Sequence, residues 1–251
     1  MRPPGLLAAL IVSAAIGVLE TACQTGLLQH SVVLPPSEIA ASLWNILQSG
    51  AFNCAIFLTL SNIFITAALA IFFGFVVGVL LHSVSYLRAG LEPFLASYYA
   101  IPTFIFYPVF IVLFGVGSAS IIAISVLLAI VAMITATLSG LDRVPIVLRK
   151  TAKVMRLNTL ETAVSILLPS ALPYLVTGAR LAIAYAFIGV IASEFILSGQ
   201  GVGYAISYAY NNFDNQTMYG LILLIILIVV GTNMLLDAFD RRQPTQTARN
   251  R

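Results

Sequence analysis

Six apolar runs dominate the pattern of the chain: residues 6–22, 54–81, 94–114, 119–138, 173–197 and 218–236. Crossing a hydrocarbon core about 30 Å thick takes about 20 helical residues, so each run is a candidate membrane span. The second is overlong and predicts tilt or protrusion. The first is short and carries Glu20 near one end. All six are expected to be helices, because an open sheet edge in lipid leaves backbone groups unpaired. Between the first two, LPPSEIAASLWNILQSG reads as an amphipathic helix. Pro35 and Pro36 start it, Ser37 is its predicted N-cap, and Ile39, Leu43, Ile46 and Leu47 form a helical stripe. That helix is expected in the outer interface, with Trp44 near the headgroups.

Composition agrees with this pattern. Mean hydropathy is +1.03, 60% of residues are hydrophobic and 8% are charged, which leaves too little polar surface for a water-soluble globule. Net charge is +3, but the placement of charge matters more than its sum. With the N-terminus in the cytoplasm, the cytoplasmic side receives Arg2, Arg88, the group Arg143, Arg149, Lys150, Lys153 and Arg156, and finally Arg241, Arg242, Arg249 and Arg251. The outer segments 23–53, 115–118 and 198–217 hold no Lys or Arg. This positive-inside arrangement predicts two cytoplasmic termini and argues against a nucleic-acid partner. The N-terminal run ending at Ala22-Cys23 could pass for a signal peptide. Glu20 stands where a lipoprotein cleavage site wants an apolar residue, and many spans come after it, so a retained first helix is expected. One membrane domain over 1–251 is predicted, with a core of about 52–240, a cytoplasmic loop 142–170 and a cytoplasmic tail 237–251.

Several chemistries are missing. Cys23 and Cys54 form no metal-binding spacing; they read either as a disulfide or as two small buried hydrophobes. No GxxxxGK[ST] loop is present to cradle phosphates. Gly199-Gln200-Gly201-Val202-Gly203 is a flexible turn rather than a dinucleotide fingerprint, because no strand precedes it. His30 and His82 lie at span ends, and neither HExxH nor GxSxG occurs. Two ionisable groups fall inside the fifth span, Arg180 and Glu194, about 21 Å apart along a helix. An intramembrane charge is costly, so each is expected to face protein or water. For Arg180, reach to the cytoplasmic interface is the favoured reading. Glu194 with Ser193 lines a vestibule or gate, or packs helices; Tyr185, Asn62 and the Pro-interrupted third span are further pathway candidates.

The densest charge lies between Asp142 and Glu161, where five of the twelve Lys and Arg residues fall. At helical period Val147, Leu148, Thr151, Val154 and Met155 share one side, with Arg149, Lys150, Lys153 and Arg156 around the other. Asn158 followed by Glu161 is a capping box that opens a second short helix, TLETAVSILL. Pro169 is expected to stop its simple continuation. Physics alone allows a lipid-headgroup anchor or a protein-docking elbow.

Residues Lys150 to Pro169 resemble the cytoplasmic EAA loop of permease subunits of bacterial ABC importers: EAA, three residues, G, nine residues, I, one residue, LP. Ala152 matches the second Ala, Ile166 the Ile, and Leu168-Pro169 the closing pair. The run SALPYLVTGARLAIAYAFIGVIASEFILSGQGVGYAI, the Ile101-Pro102 and Leu113-Phe114-Gly115-Val116-Gly117 are similar to the taurine, sulfonate and nitrate branch. Lys150 stands where that family usually has Glu, Thr151 replaces the first Ala, and Arg156 replaces the Gly, whose turn Asn158 is expected to take over.

The resemblance implies an all-α integral membrane protein of about six transmembrane helices, of the type I ABC importer permease kind, in the bacterial inner membrane. It implies a second permease copy, cytoplasmic ABC ATPase subunits, a periplasmic substrate-binding protein, and contact with membrane lipid. ATP and Mg would be bound by the ATPase, with no cofactor or catalytic residue in this chain. Coupling to that ATPase would fall on Thr151, Ala152, Val154, Met155, Arg156, Leu157, Asn158 and Glu161. The solute would be small and anionic or organic. The rival is an ion-gradient transporter or channel, which predicts midplane carboxylates and inverted repeats; Glu194 is the one acidic residue well inside a span.

Overall fold

The computed structural model describes residues 4–26 and 33–242, all of whose regular structure is helical. Arg2, His30, Arg249 and Arg251 lie outside those residues, as does most of the expected cytoplasmic tail. Two compact units are formed, Met1–Phe57 with Gln200–Arg251, and Leu58–Gly199.

The second unit is built on α3 (Asn53–Ser83) from Leu58 onward, α6 (Ser118–Asp142) and α9 (Leu168–Leu197). Small residues let their backbones meet, as association in lipid requires. A Cβ on Gly178 would overlap that of Ala136, and one on Gly189 would stand 2.9 Å from Ser125. Gly140 faces Ala171 and Tyr174, so α6 and α9 run antiparallel. Gly74 and Gly78 of α3 lie against Met133 and Thr137 of α6. The buried stripe of α3 is therefore divided. It is polar toward its start, at Thr59, Asn62 and Thr66, and small further on, at Ala67, Ala70, Gly74 and Gly78.

Among the described residues, four helical stretches are long and apolar enough to cross a membrane: Asn53–Ser83, Ser118–Asp142, Thr159–Leu197 and Asn215–Ala238. Leu10–Gln24 and Thr103–Phe114 are shorter apolar helices. The third predicted span, 94–114, is thus not one rod. Helix α4 (Ser85–Ser97) ends in tight turns around Ile101-Pro102, and α5 (Tyr107–Phe114) restarts with Pro108 in its first turn. Ile101, preceding a proline, is extended at φ −87°, ψ 117°, which breaks the helix.

In the first unit, α1 (Pro4–Gln24) is tied to α2 (Pro36–Ser49) by a carboxylate. Ser37 donates its backbone N–H to Glu20 Oε2 at 3.0 Å and its hydroxyl to Glu20 Oε1 at 2.7 Å. Ser37 is not the N-cap: Pro35 takes that place, and the open amide of the first turn is satisfied by a group on another helix. The predicted stripe of α2 is partly covered by protein. Leu43 and Ile46 are buried with Val202 and Ile206 of α10 (Val202–Asn211) and Leu221 and Leu224 of α11 (Asn215–Arg242), while Trp44 and Leu47 are exposed. Gly220 opens the room, since a Cβ there would meet Ile46 at 2.7 Å. Cys23 is a buried free thiol and Cys54 an exposed one.

Candidate functional site

Two polar features of the second unit stand out from its apolar helices. The first is the elbow between α6 and α9. Pro145 precedes α7 (Ile146–Val154), fixing an extended residue ahead of the first turn. The helix closes in a Schellman motif: Leu157 N–H donates to Ala152 O at 3.1 Å and Arg156 N–H to Lys153 O at 3.1 Å. Such a motif needs one left-handed residue, and that residue is Arg156, at φ 53°. Asn158 does not take over the turn. It is extended, at φ −73° and ψ 174°, because it is the N-cap of α8 (Thr159–Thr162). The capping box is complete: Asn158 N–H donates to Glu161 Oε2, and Glu161 N–H to Asn158 Oδ1, each at 2.8 Å.

Pro169 does not stop the second helix. A π-helical turn, Ala163–Leu167, joins α8 to α9, and Pro169 falls in the first turn of α9. Widening the turn accommodates the proline, which has no N–H to donate back and whose ring crowds the preceding turn.

The elbow is oriented opposite to the simplest amphipathic reading. Ala152 is 2% exposed and forms the inward contact. Arg149 also turns inward, donating from Nη2 to Leu141 O at 2.5 Å and so capping the end of α6. The apolar residues point out: Val154 is 83% exposed, Met155 63%, and Ile146 and Val147 are exposed too. Thr151, Lys150, Lys153 and Arg156 share that outer surface, whereas Leu157 is half-buried.

Behind the elbow the end of α6 is braced. Arg88 of α4 binds Asp142 through two bonds, Nη1 to Oδ1 at 2.8 Å and Nη2 to Oδ2 at 2.7 Å. Those bonds push the Arg88 pKa above its ordinary value. His82 at the end of α3 lies 3.6 Å from the same carboxylate, and Glu92 lies 3.6 Å from Arg88. Arg143 stacks over the Tyr174 ring at 5.4 Å. The braces on Asp142 and Tyr174 were not foreseen from sequence, since their partners lie far apart in the chain; Arg88 and Glu92 are the local pair, four residues apart on α4.

The second feature is a buried polar knot. Glu194 is 0% exposed; it accepts from Thr59 Oγ1 at 2.7 Å and from Asn62 Nδ2 at 3.3 Å. The structure thus unites two predicted residues, Glu194 and Asn62, and adds Thr59. Thr59 and Asn62 are one turn apart on α3, so a single helix face supplies both donors. Ser193 is equally buried, one residue away on α9. Tyr185 is not part of the knot; it packs near Ala70, Ala129, Met133 and Ala182. Arg180 is half-buried.

Apolar helices joined through small residues, a broken third segment and a braced polar elbow define the class of multi-pass membrane permeases. The chain belongs to the family described as the binding-protein-dependent transport system inner membrane component, which matches residues 70–244. It is therefore a permease subunit of an ABC transporter and not itself an enzyme. A probable ABC transporter permease protein of Haemophilus influenzae is 28% identical over 226 residues, 87% of this chain and 89% of its own length. The nitrate import permease protein NrtB of Synechococcus elongatus is 28% identical over 74% of this chain and 67% of its own. The bicarbonate transport system permease protein CmpB of the same organism is 28% identical over 68% of this chain and 61% of its own. In fold the chain is similar to the inward-facing MetNI methionine ABC transporter, with a TM-score of 0.66 and 21% identity over 74% of this chain and 93% of that one.

Proposed function

We propose that this permease forms the translocation pathway of an ATP-driven importer for a small anionic solute, and that its elbow is the segment gripped by a separate ATPase. The observation that carries this reading is the outward-facing crest of α7. Val147, Thr151, Val154 and Met155 are exposed on a two-turn helix that is held at both ends, by Pro145 and by the Schellman motif. An apolar crest on a fixed helix is suited to a groove in a second protein. Ala152, Leu157 and the Asn158–Glu161 capping box set its shape, and Arg156 makes the turn. ATP-driven movement of the groove would shift the elbow as a rigid body, and the continuous helical path into α9 would carry that shift into the pathway.

The solute class is supported by the relatives whose names specify nitrate and bicarbonate, both small anions. In this reading a periplasmic binding protein delivers the solute to a pair of permeases, and both termini face the cytoplasm. Glu194 and Ser193 of α9, with Asn62 of α3, stiffen the pathway wall, and Tyr185 lies elsewhere along α9.

Replacing Met155 with Asp tests the elbow. Radiolabelled uptake is expected to fall to background while membrane insertion and yield stay native. Normal uptake by that variant would remove the elbow from the mechanism, and uptake persisting without an ATPase would remove the importer reading.

A further inference from the structure

The cations of the elbow divide into two groups with different tasks. Arg149 is spent on Leu141 O, Arg143 on Tyr174, and Arg88 on Asp142. Lys150, Lys153 and Arg156 are exposed, and among the described residues no side-chain hydrogen-bond or ion-pair partner meets any of the three. The nearby carboxylates are also engaged: Asp142 holds Arg88, and Glu161 closes the capping box with Asn158. Three uncompensated positive charges therefore remain on one short segment.

Their placement relative to the crest is specific. Lys150 and Lys153 are three residues apart and so adjacent on the helix surface. At 100° per residue they form an edge along one flank of the Val147–Thr151–Val154 crest, and Arg156 adds a third cation at the left-handed turn just past the helix end. We infer that the elbow fits an ATPase groove with an apolar floor and an acidic rim, the rim carboxylates pairing with Lys150, Lys153 and Arg156. This rests on the proposed coupling role and names the chemistry of the partner surface. Two observations favour a protein groove over a lipid surface. Among its exposed apolar residues α7 carries no Trp, Tyr or Phe, and Leu148, a type that interfacial helices also use to enter lipid, is the least exposed of them at 38%. It also spans only two turns, the length of a docking ridge.

The test uses the full permease in nanodiscs and its cognate ABC ATPase subunit, with binding followed by a fluorophore on the ATPase. The variants are Lys150→Glu/Lys153→Glu, the neutral Lys150→Met/Lys153→Met, and Met155→Asp. In phosphatidylcholine discs the native pair is expected to weaken as salt rises. The double Glu variant is expected to bind about tenfold more weakly at low salt, with the double Met variant between. Native affinity in the double Glu variant, with binding lost in Met155→Asp, would overturn the acidic rim and leave the coupling role standing. Native affinity in all three would overturn both. A charge effect seen only when the discs contain phosphatidylglycerol would assign the lysine edge to lipid and overturn the inference.

Discussion

Thr59 donates its hydroxyl to Glu194 at 2.7 Å, joining α3 to α9 across 135 residues of sequence. Asn62 adds a second donor one turn along, and the carboxyl group is fully buried. A buried carboxyl group in an apolar helix persists only where its oxygens are satisfied. This bond fixes the polar end of α3 on the α9 face.

Glu194→Ala leaves two buried donors without this acceptor, each worth about 1–3 kcal/mol. Thermal unfolding in detergent is expected to show a loss of about 2–4 kcal/mol. Glu194→Gln retains an oxygen for Thr59 and is expected to lose less. An Ala variant that melts like the native protein would show that the knot does not hold these helices.

Gly178 is the tightest crossing between α6 and α9. Gly178→Ala would drive its new Cβ into Ala136 and force the helices apart. Overpacking of this kind costs about 1–3 kcal/mol. Gly231, with nothing within 4 Å of an added Cβ, is the control. Detergent-extracted Gly178→Ala should melt earlier than native protein, and Gly231→Ala should not.

Arg156 occupies a left-handed conformation that glycine adopts without a Cβ penalty. Arg156→Gly is therefore expected to stabilise the elbow turn by about 0.5–1 kcal/mol, read as slower hydrogen exchange at the Leu157 amide bonded to Ala152 O. Arg156→Val should speed that exchange. Faster exchange in the Gly variant would mean that the arginine side chain, not the backbone, holds the turn.

The Arg88–Asp142 pair is partly exposed, so its bidentate geometry is expected to contribute no more than about 1 kcal/mol. A double-mutant cycle with Arg88→Met and Asp142→Asn measures the coupling directly. Its effect should shrink as salt rises. Coupling insensitive to salt would contradict the exposure of the pair.

What could be read from the sequence was whatever depends on neighbours in the chain. Apolar runs located α3, α6, α9 and α11, and the Asn158–Glu161 spacing located a capping box that forms in full. Pairings across the chain were illegible. Nothing near Glu194 indicates Thr59, and nothing near Ser37 indicates that Glu20 would serve its amide. The inward turn of Arg149 was hidden for the same reason, because the carbonyl it caps belongs to the preceding helix. Two local rules were overridden by backbone freedom. Asn is the commoner left-handed residue, yet Arg156 takes that conformation because Asn158 is already committed as a cap. Proline ends most helices, yet Pro169 is absorbed by a wider turn.

That wider turn makes the stretch from Thr159 to Leu197 a single shaft, about 58 Å long at 1.5 Å per residue. Its five-residue coil sets the angular phase between the capped start and the carboxyl near the far end. Deleting one residue within Ala163–Leu167 would let the coil tighten to ordinary pitch and press Pro169 against the turn before it. Inserting one residue beyond Pro169 would instead rotate Glu194 by about 100° away from Thr59. The residue count at the root of the shaft therefore decides which face of α9 presents Glu194 to Thr59.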